Sequence, residues 1–151
     1  NNQSGIQFNV SHSNGRALYV IGRDRMVGVD LESYRPIADL EQLAKRFFSQ
    51  TEYEVLTSLD ASRKPDAFFH LWTCKEAYLK ATGEGLIKLS TAELCFDTAQ
   101  PFQIVGLQAQ ASQEWSLVQF QPFSNFVAAV AVQGSNLQLN LLAHQHERSD
   151  R

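Results

Sequence analysis

Cysteine, methionine and long apolar runs are all scarce in this sequence. Its two cysteines, Cys74 and Cys95, form no CxxC pair, so a disulfide scaffold is not expected. The longest apolar runs, such as 126–132, are far shorter than the roughly 20 residues that a membrane-spanning helix needs. Its 13 basic residues are outnumbered by 16 acidic ones, for a net charge of −3, which argues against a nucleic-acid-binding protein. These features argue against a disulfide scaffold, a membrane-spanning protein and a nucleic-acid-binding protein.

The length suits one domain. A chain of 151 residues, 44% of them hydrophobic, can bury a sizeable core. The sequence begins with Asn1 and its single methionine is Met26, so we expect it to be a cleaved or partial protein. No secretion leader is visible, and a cytoplasmic location is expected. We predict a single domain over 1–143 and a polar tail over 144–151.

Charge divides the sequence into two parts. Residues 1–90 contain eleven basic and eleven acidic residues, whereas 91–147 contain no lysine or arginine. From Thr91 onward, apolar residues alternate with Gln, Ser and Asn, which predicts half-buried strands. The ionic chemistry of the protein is therefore expected in the first part.

The predicted elements define an α+β domain in which an antiparallel sheet packs against about three helices. A small antiparallel meander is predicted over Ile6–His12, Ala17–Gly22 and Met26–Leu31. The predicted helices comprise one through Leu40, Leu43, Ala44, Phe47 and Phe48 capped by Asp39, one from the Ser49/Glu52 capping box to about Asp60, and one over Pro65–Thr82 closed by Gly83. The later predicted strands are Ala92–Asp97, Gln103–Gln108, Trp115–Gln121, Phe126–Val132 and Leu137–Leu142.

Two carboxylates share one face of the third predicted strand. Alternate side chains of a strand point the same way, so Asp30 and Glu32 lie together while Val29 and Leu31 face the core. Like charges at this spacing repel unless a cation separates them, and hard oxygen ligands suit magnesium. The alternative is an exposed strand end with two solvated acids, which this short segment alone favours.

The third predicted helix carries further charged residues. Glu76 and Lys80 are four residues apart on one face, with Trp72 one turn earlier. A surface ion pair is the simpler explanation for these two residues. A fully solvated face is disfavoured by the surrounding aromatic residues Phe68, Phe69, Trp72 and Tyr78.

The first predicted strand ends in Ser11, His12 and Ser13. A histidine beside a serine suits nucleophilic catalysis, but no nucleophile-elbow glycine pattern surrounds either serine. The same residues at a strand end also suit contact with phosphate oxygens, and a structural histidine is the remaining alternative.

Together, these three segments resemble the signature motifs of phosphopantetheinyl transferases. The segments are Phe8-Asn9-Val10-Ser11-His12-Ser13, Val27-Gly28-Val29-Asp30-Leu31-Glu32 and Trp72-Thr73-Cys74-Lys75-Glu76-Ala77-Tyr78-Leu79-Lys80. The resemblance runs from about Phe8 to Leu86 and includes 44–53. A Ser-His motif ahead of the Gly-x-Asp motif resembles the surfactin-synthetase-activating, two-half type. This chain then resembles the C-terminal half plus the Ser-His motif, one half of a pseudo-dimer.

The resemblance implies an enzyme that transfers phosphopantetheine from coenzyme A to a serine of an acyl or peptidyl carrier protein, releasing an adenosine bisphosphate. It implies magnesium ligation by Asp30, Glu32 and Glu76, and catalytic roles for Glu76, as base for the carrier serine, and Lys80, on the phosphates. The implied coenzyme A contacts are Ser11, His12, Lys75 and Lys80. Lys75 is left with either a phosphate or a structural role.

The resemblance also implies two partners. Carrier proteins are acidic in general, and a basic docking surface with apolar anchors is expected at Arg35, Ile37, Lys45, Arg46 and Phe48. An ordinary amphipathic helix is the alternative for that region. Two-half members have a homologous N-terminal half, so the other half was lost or cleaved, is a separate polypeptide, or is replaced by self-pairing. We therefore expect the isolated chain to bind magnesium and coenzyme A poorly and to transfer slowly.

Two other functions compete with transfer. One is a non-catalytic module of the same fold that binds a carrier protein or coenzyme A. The other is an unrelated magnesium-dependent phosphohydrolase, which releases inorganic phosphate without any carrier protein. Substitution of Glu76 by glutamine separates the enzyme from the module, because only an enzyme has activity to lose.

Overall fold

The computed structural model describes residues 5–85, 89, 92–96, 104–108, 114–135 and 137–143. The described residues form the following elements: β1 Ile6–Ser13, β2 Arg16–Arg23, β3 Val27–Ser33, α1 Leu40–Phe47, α2 Gln50–Thr57, α3 Lys64–Thr82, β4 Glu93–Phe96, β5 Ile104–Gln108, β6 Trp115–Phe120 and β7 Phe126–Gln133. The α+β prediction is confirmed. Neither cysteine is in a disulfide, and none of the described helices has the length and hydropathy to cross a membrane.

The described strands form three antiparallel sheets rather than one. β1 pairs with β2 across a turn in which Asn14 and Gly15 have φ values of 43° and 74°, as a tight hairpin requires. β3 lies beside β7 and β7 beside β6, while β4 pairs with β5. The predicted meander is therefore wrong at its third strand. β3 is buried along almost its whole length, so its hydrogen-bonded partner is the equally buried β7 rather than the exposed β2.

The two faces of β3 have different neighbours. Val29 and Leu31 point to small apolar clusters that include Val130 and Ala128 of β7. The opposite face is covered by α3. At Gly28 the contact is so close that an added Cβ would overlap the Ala77 carbonyl oxygen and lie 2.5 Å from the Ala81 nitrogen. The glycine therefore lets the strand and the helix touch, two residues before Asp30.

Alanine at Gly28 is expected to destabilise the fold by about 3 kcal/mol, because the obstructing atoms belong to the backbone of α3 and cannot move aside. Urea unfolding measures the loss. Gly15→Ala is the control, since nothing lies within 4 Å of its added Cβ and it bears only the left-handed backbone penalty of about 1–2 kcal/mol. A loss at Gly28 no larger than that at Gly15 would contradict the close packing.

Local capping signals are largely confirmed. Ser49 and Glu52 form the predicted capping box of α2, although the helix ends at Thr57 rather than near Asp60. α3 has proline in its first turn and ends at Gly83, whose φ is 73°. Asp39 takes the N-cap position of α1 without a side-chain capping hydrogen bond.

The last predicted strand is wrong. Residues 137–143 are irregular, and Leu141 and Leu142 are 65% and 94% exposed. Alternating leucines predict a strand, but none of the described strands pairs with this segment. The predicted tail over 144–151, and the strand ends expected at Asp97 and Gln103, lie outside the described residues.

Candidate active site

The packing of α3 on β3 brings Lys80 to Asp30. The Lys80 Nζ donates to Asp30 Oδ1 at 2.7 Å and to the Val29 carbonyl oxygen at 3.2 Å. The Asp30 side chain is only 7% exposed and that of Lys80 30%. Lys80 therefore pairs across two elements, and the surface i,i+4 pair with Glu76 is replaced by a largely buried one.

Ser11 completes this pair from β1. Its hydroxyl donates to Asp30 Oδ1 at 3.1 Å. The Ser11 Oγ in turn accepts from Lys80 Nζ and from the Leu31 backbone nitrogen, each at 3.1 Å. The Ser-His, Gly-x-Asp and helix motifs thus meet at one point, although they are far apart in sequence.

Asp30 presents one unused oxygen. Oδ1 receives two side-chain donors, but Oδ2 is buried and finds no hydrogen-bond partner among the described residues. A buried carboxylate oxygen without a partner is costly, and a bound cation would satisfy it.

Glu32 has a counter-ion of its own. Its Oε2 accepts from Arg35 Nη1 at 2.7 Å, and the Arg35 guanidinium also lies over the Phe69 ring, 5.4 Å from its centroid. The Arg35 side chain is 56% exposed, so this ion pair is weak and readily exchanged for another partner.

Glu76 faces the same cluster from α3. Burial raises the pKa of its carboxyl, the negative charges of Asp30 and Glu32 raise it further, and Lys80 opposes them. Three carboxylates are therefore close enough to influence one another. Across the described ranges, no three His, Cys, Asp or Glu side chains are already grouped tightly enough to hold a metal ion. The carboxylate donor set and the unpartnered Asp30 Oδ2 nevertheless fit a hard divalent cation.

His12 is separated from Ser11 by the alternation of the strand. Ser11 is 5% exposed and points to β3, whereas His12 is exposed and pairs across the hairpin with Ala17. The structure therefore does not bring the imidazole to the Asp30–Lys80 pair.

Lys75 lies outside the cluster. Its fully buried Nζ donates to both carboxylate oxygens of Glu52, at 2.9 and 2.6 Å, and to the Ala92 carbonyl oxygen at 2.6 Å. An ammonium has three donors, so none is left for a phosphate. Burial lowers the pKa of this amine, and the Glu52 charge opposes the effect. Of the two roles left open for Lys75, the geometry favours the structural one.

Sequence reasoning missed the role of Glu52. The capping box was visible, and both of its hydrogen bonds are present. The box did not indicate that the same carboxylate would be fully buried against a lysine 23 residues away. A capping glutamate is ordinarily at a helix surface, so only its tertiary environment distinguishes this one.

The expected docking residues fall into two groups. Arg35 and Ile37 line a cavity of about 240 Å³ with Phe69 and Trp72 of α3, and the basic residues at 45 and 46 are exposed on α1. Phe48 is wrong as an anchor, because it is only 5% exposed and packs on the Phe68 ring at 5.3 Å. It belongs to the core.

A comparison of the sequence with protein families agrees with this fold and with the Asp30–Lys80 site. Residues 26–131 match the 4'-phosphopantetheinyl transferase superfamily, also described as ACPS. The chain belongs to this family.

Matches to individual proteins indicate which type within the family this chain resembles. It is 48% identical over 132 residues to the 4'-phosphopantetheinyl transferase HetI of Nostoc sp. strain PCC 7120, a match that covers 87% of this chain and 54% of HetI. It is 43% identical over 79 residues to the 4'-phosphopantetheinyl transferase Sfp of Bacillus subtilis, covering 52% of this chain and 34% of Sfp. These matches confirm the resemblance to the Sfp type. The chain spans about half the length of HetI and a third of Sfp.

A solved structure shares the fold. A holo-(acyl-carrier-protein) synthase from Bacillus anthracis, solved in complex with CoA (3',5'-ADP), matches with a TM-score of 0.59 and 22% sequence identity. The match covers 73% of this chain and 96% of the synthase. One small synthase chain thus corresponds to the α+β unit described above.

Proposed function

We propose that this chain is the catalytic half of a 4'-phosphopantetheinyl transferase, which moves phosphopantetheine from coenzyme A to a serine of an acyl or peptidyl carrier protein. The observation that carries the proposal is the Lys80–Asp30 ion pair where α3 packs on β3. The charges of Asp30 and Glu32 also raise the pKa of Glu76 on the same helix as Lys80. Family membership supports the same reaction.

The carboxylates are assigned to a magnesium ion. Asp30, Glu32 and Glu76 hold it, and the chemistry that it supplies is neutralisation of charge on the pyrophosphate of coenzyme A. Lys80 and Arg35 balance only two of the three carboxylates. The cluster is therefore attractive to cations, and it becomes attractive to phosphates once a divalent cation is bound.

Lys80 and Glu76 are assigned to the chemical step. The carrier serine oxygen attacks phosphorus, its proton passes to Glu76 directly or through a water, and the bond to the leaving adenosine bisphosphate breaks. Burial and the charges of Asp30 and Glu32 raise the pKa of Glu76, which favours proton uptake, whereas magnesium ligation lowers its basicity.

The three Lys80 donors go to Asp30, Ser11 and the Val29 carbonyl oxygen, so Lys80 is assigned to the phosphates as a fixed positive charge rather than as a hydrogen-bond donor. Exposed His12 is assigned to a phosphate of coenzyme A at the rim.

The carrier protein is assigned to the surface beside the cluster. The cavity between Arg35, Ile37 and α3 accepts an apolar side chain, and exposed Lys45 and Arg46 attract an acidic partner. Arg35 contacts both the cavity and Glu32, so the docking surface adjoins the reacting groups.

A second half of the enzyme is assigned to the outer face of the β1–β2 hairpin. Phe8, Tyr19 and Ile21 are 74%, 73% and 73% exposed on that face, and Phe8 lies opposite Ile21 in the pairing register. Contiguous apolar surface of this kind marks an interface. The match covers 54% of HetI, and the additional length of that relative supports a further segment that covers this face.

Replacing Phe8 and Ile21 together by serine is expected to reduce association of the isolated chain, measured by sedimentation velocity over a range of concentrations. Leu142→Ser is the matched control, because it removes an apolar side chain that is 94% exposed outside the hairpin and should leave association unchanged. If the unaltered chain neither associates with itself nor binds a supplied second half through these residues, the assignment of this face is wrong.

The function is tested by intact-mass measurement of an apo carrier protein after incubation with the chain, coenzyme A and magnesium. Slow, magnesium-dependent gain of one phosphopantetheine is expected, with faster gain when a second half is supplied. Binding of coenzyme A without mass gain would instead identify a non-catalytic module. Release of inorganic phosphate without a carrier protein would identify a phosphohydrolase.

A further inference from the structure

Side chains, not backbone pairs, join the β1–β2 hairpin to β3. Three alternate residues of β1 accept hydrogen bonds from alternate backbone nitrogens of β3: Asn9 from Val29, Ser11 from Leu31 and Ser13 from Ser33, each at 3.1 Å. The main-chain pairing of β1 is with β2, and that of β3 is with β7. This side-chain ladder therefore sets the register between the hairpin and the strand that carries Asp30.

Ser11 does more than the other two members of the ladder. A serine hydroxyl has one donor and two acceptor positions. Ser11 uses its donor on Asp30 Oδ1 and its acceptor positions on the Leu31 nitrogen and Lys80 Nζ. It is also buried. No position of the hydroxyl remains for a phosphate oxygen of coenzyme A.

The same contacts explain the asymmetry of Asp30. Oδ1 accepts from both Ser11 and Lys80, whereas Oδ2 accepts from no described residue. The two donors on Oδ1 orient the carboxylate, and Oδ2 is the oxygen left without a partner. Groups that hold a metal-binding carboxylate in this way commonly tune its affinity.

We infer that Ser11 is a positioning residue, which holds the Asp30 carboxylate and the Lys80 ammonium in place and leaves Asp30 Oδ2 free for a divalent cation. The inference rests on the proposed function, in which Asp30 binds the cation and the Lys80 charge stabilises the phosphates. It replaces the expectation that the Ser11 side chain itself contacts coenzyme A.

Ser11→Ala and Ser13→Ala form a matched pair for the test. Each removes one ladder bond of 3.1 Å to a β3 nitrogen, and Ser11→Ala should lose more unfolding free energy because it also removes hydrogen bonds with two charged groups. Only Ser11→Ala also removes contacts with Asp30 and Lys80. It alone should weaken magnesium binding by about 10- to 100-fold in calorimetry without coenzyme A. It should also lower kcat with little change in the KM for coenzyme A.

The Lys80 amine provides a readout that needs neither magnesium nor transfer. Reductive methylation, followed by peptide mass spectrometry, should modify Lys80 faster in Ser11→Ala than in Ser13→Ala, because only the first loses a bond to Nζ. Ser11→Thr keeps the hydroxyl and should restore slow labelling. A chain without transfer activity that still shows these differences would overturn the proposed function and support the positioning role.

Two results would overturn the inference. One is equal Lys80 labelling and equal magnesium affinity in the two alanine variants. The other is a raised KM for coenzyme A in Ser11→Ala with magnesium affinity unchanged, since that pattern indicates direct contact with the substrate.

Discussion

Glutamine in place of Glu76 is expected to lower the rate of phosphopantetheine transfer by about 10²–10⁴-fold, the usual contribution of a positioned acid or base. Glutamine cannot accept the proton of the carrier serine, and its neutral amide is a poorer magnesium ligand than a carboxylate. The rate is measured as mass gain of an apo carrier protein, with the chain completed by a second half if the isolated chain is slow. Binding of coenzyme A should survive.

The same variant is expected to be more stable than the unaltered chain at neutral pH without divalent cations. Burial and the charges of Asp30 and Glu32 raise the pKa of Glu76 in the folded state. As pH rises through the unfolded and then the folded pKa, the folded state retains its proton longer, so ionisation of Glu76 lowers stability. Glutamine removes that loss. The gain should disappear in acid, where both states carry the proton.

Glu54→Gln is the control for both effects, because Glu54 is exposed on α2 and contacts only its own helix. It should change neither the transfer rate nor the pH dependence of the melting temperature. Full transfer by Glu76→Gln would refute the assigned base, and a lower melting temperature at neutral pH would refute the electrostatic account of the cluster.

Glutamine in place of Glu52 is expected to destabilise the fold by about 3–5 kcal/mol, because it leaves the Lys75 ammonium buried without its counter-charge. Glu52 also accepts from the backbone nitrogens of Ser49 and Leu94. The pair therefore ties together α2, α3 and β4. Urea unfolding measures the loss, and a Glu52→Gln, Lys75→Met double variant should lose less than the sum of the single changes.

Glu41 and Lys64 provide a matched surface pair. Their N–O distance of 2.6 Å equals that of the Lys75–Glu52 pair, but the Glu41 side chain is 51% exposed whereas both buried side chains are at 0%. Glu41→Gln should therefore cost less than about 1 kcal/mol. Equal losses at the two glutamates would mean that burial does not decide the strength of this interaction.

Local signals predicted much of the secondary structure. The Asn14-Gly15 turn, the Ser49/Glu52 capping box and Gly83 each lie where the structure places a hairpin, a helix start and a helix end. Each signal works over a few residues, through backbone conformation or capping hydrogen bonds, and needs no distant partner. The helix and strand content was therefore accessible without coordinates.

The sequence predicted less well which distant elements pack or pair with one another. Apolar periodicity showed that β3 is buried, but it did not distinguish β7 from β2 as its neighbour. The same limit explains the absent strand at 137–142 and the placement of Phe48 in the core. A pattern reports which side chains avoid water, not which surface covers them.

The sequence by itself determined the family, because three motifs in order resemble phosphopantetheinyl transferases, and that resemblance predicts the site residues Asp30, Glu32, Glu76 and Lys80. Only the tertiary structure decided which side chains of the site contact one another. It paired Lys80 with Asp30 Oδ1, left Oδ2 free, satisfied the Ser11 hydroxyl and enclosed Lys75 with Glu52. These assignments depend on α3 touching β3 at Gly28, since hydrogen bonds act over about 3 Å and only packing brings distant segments that close.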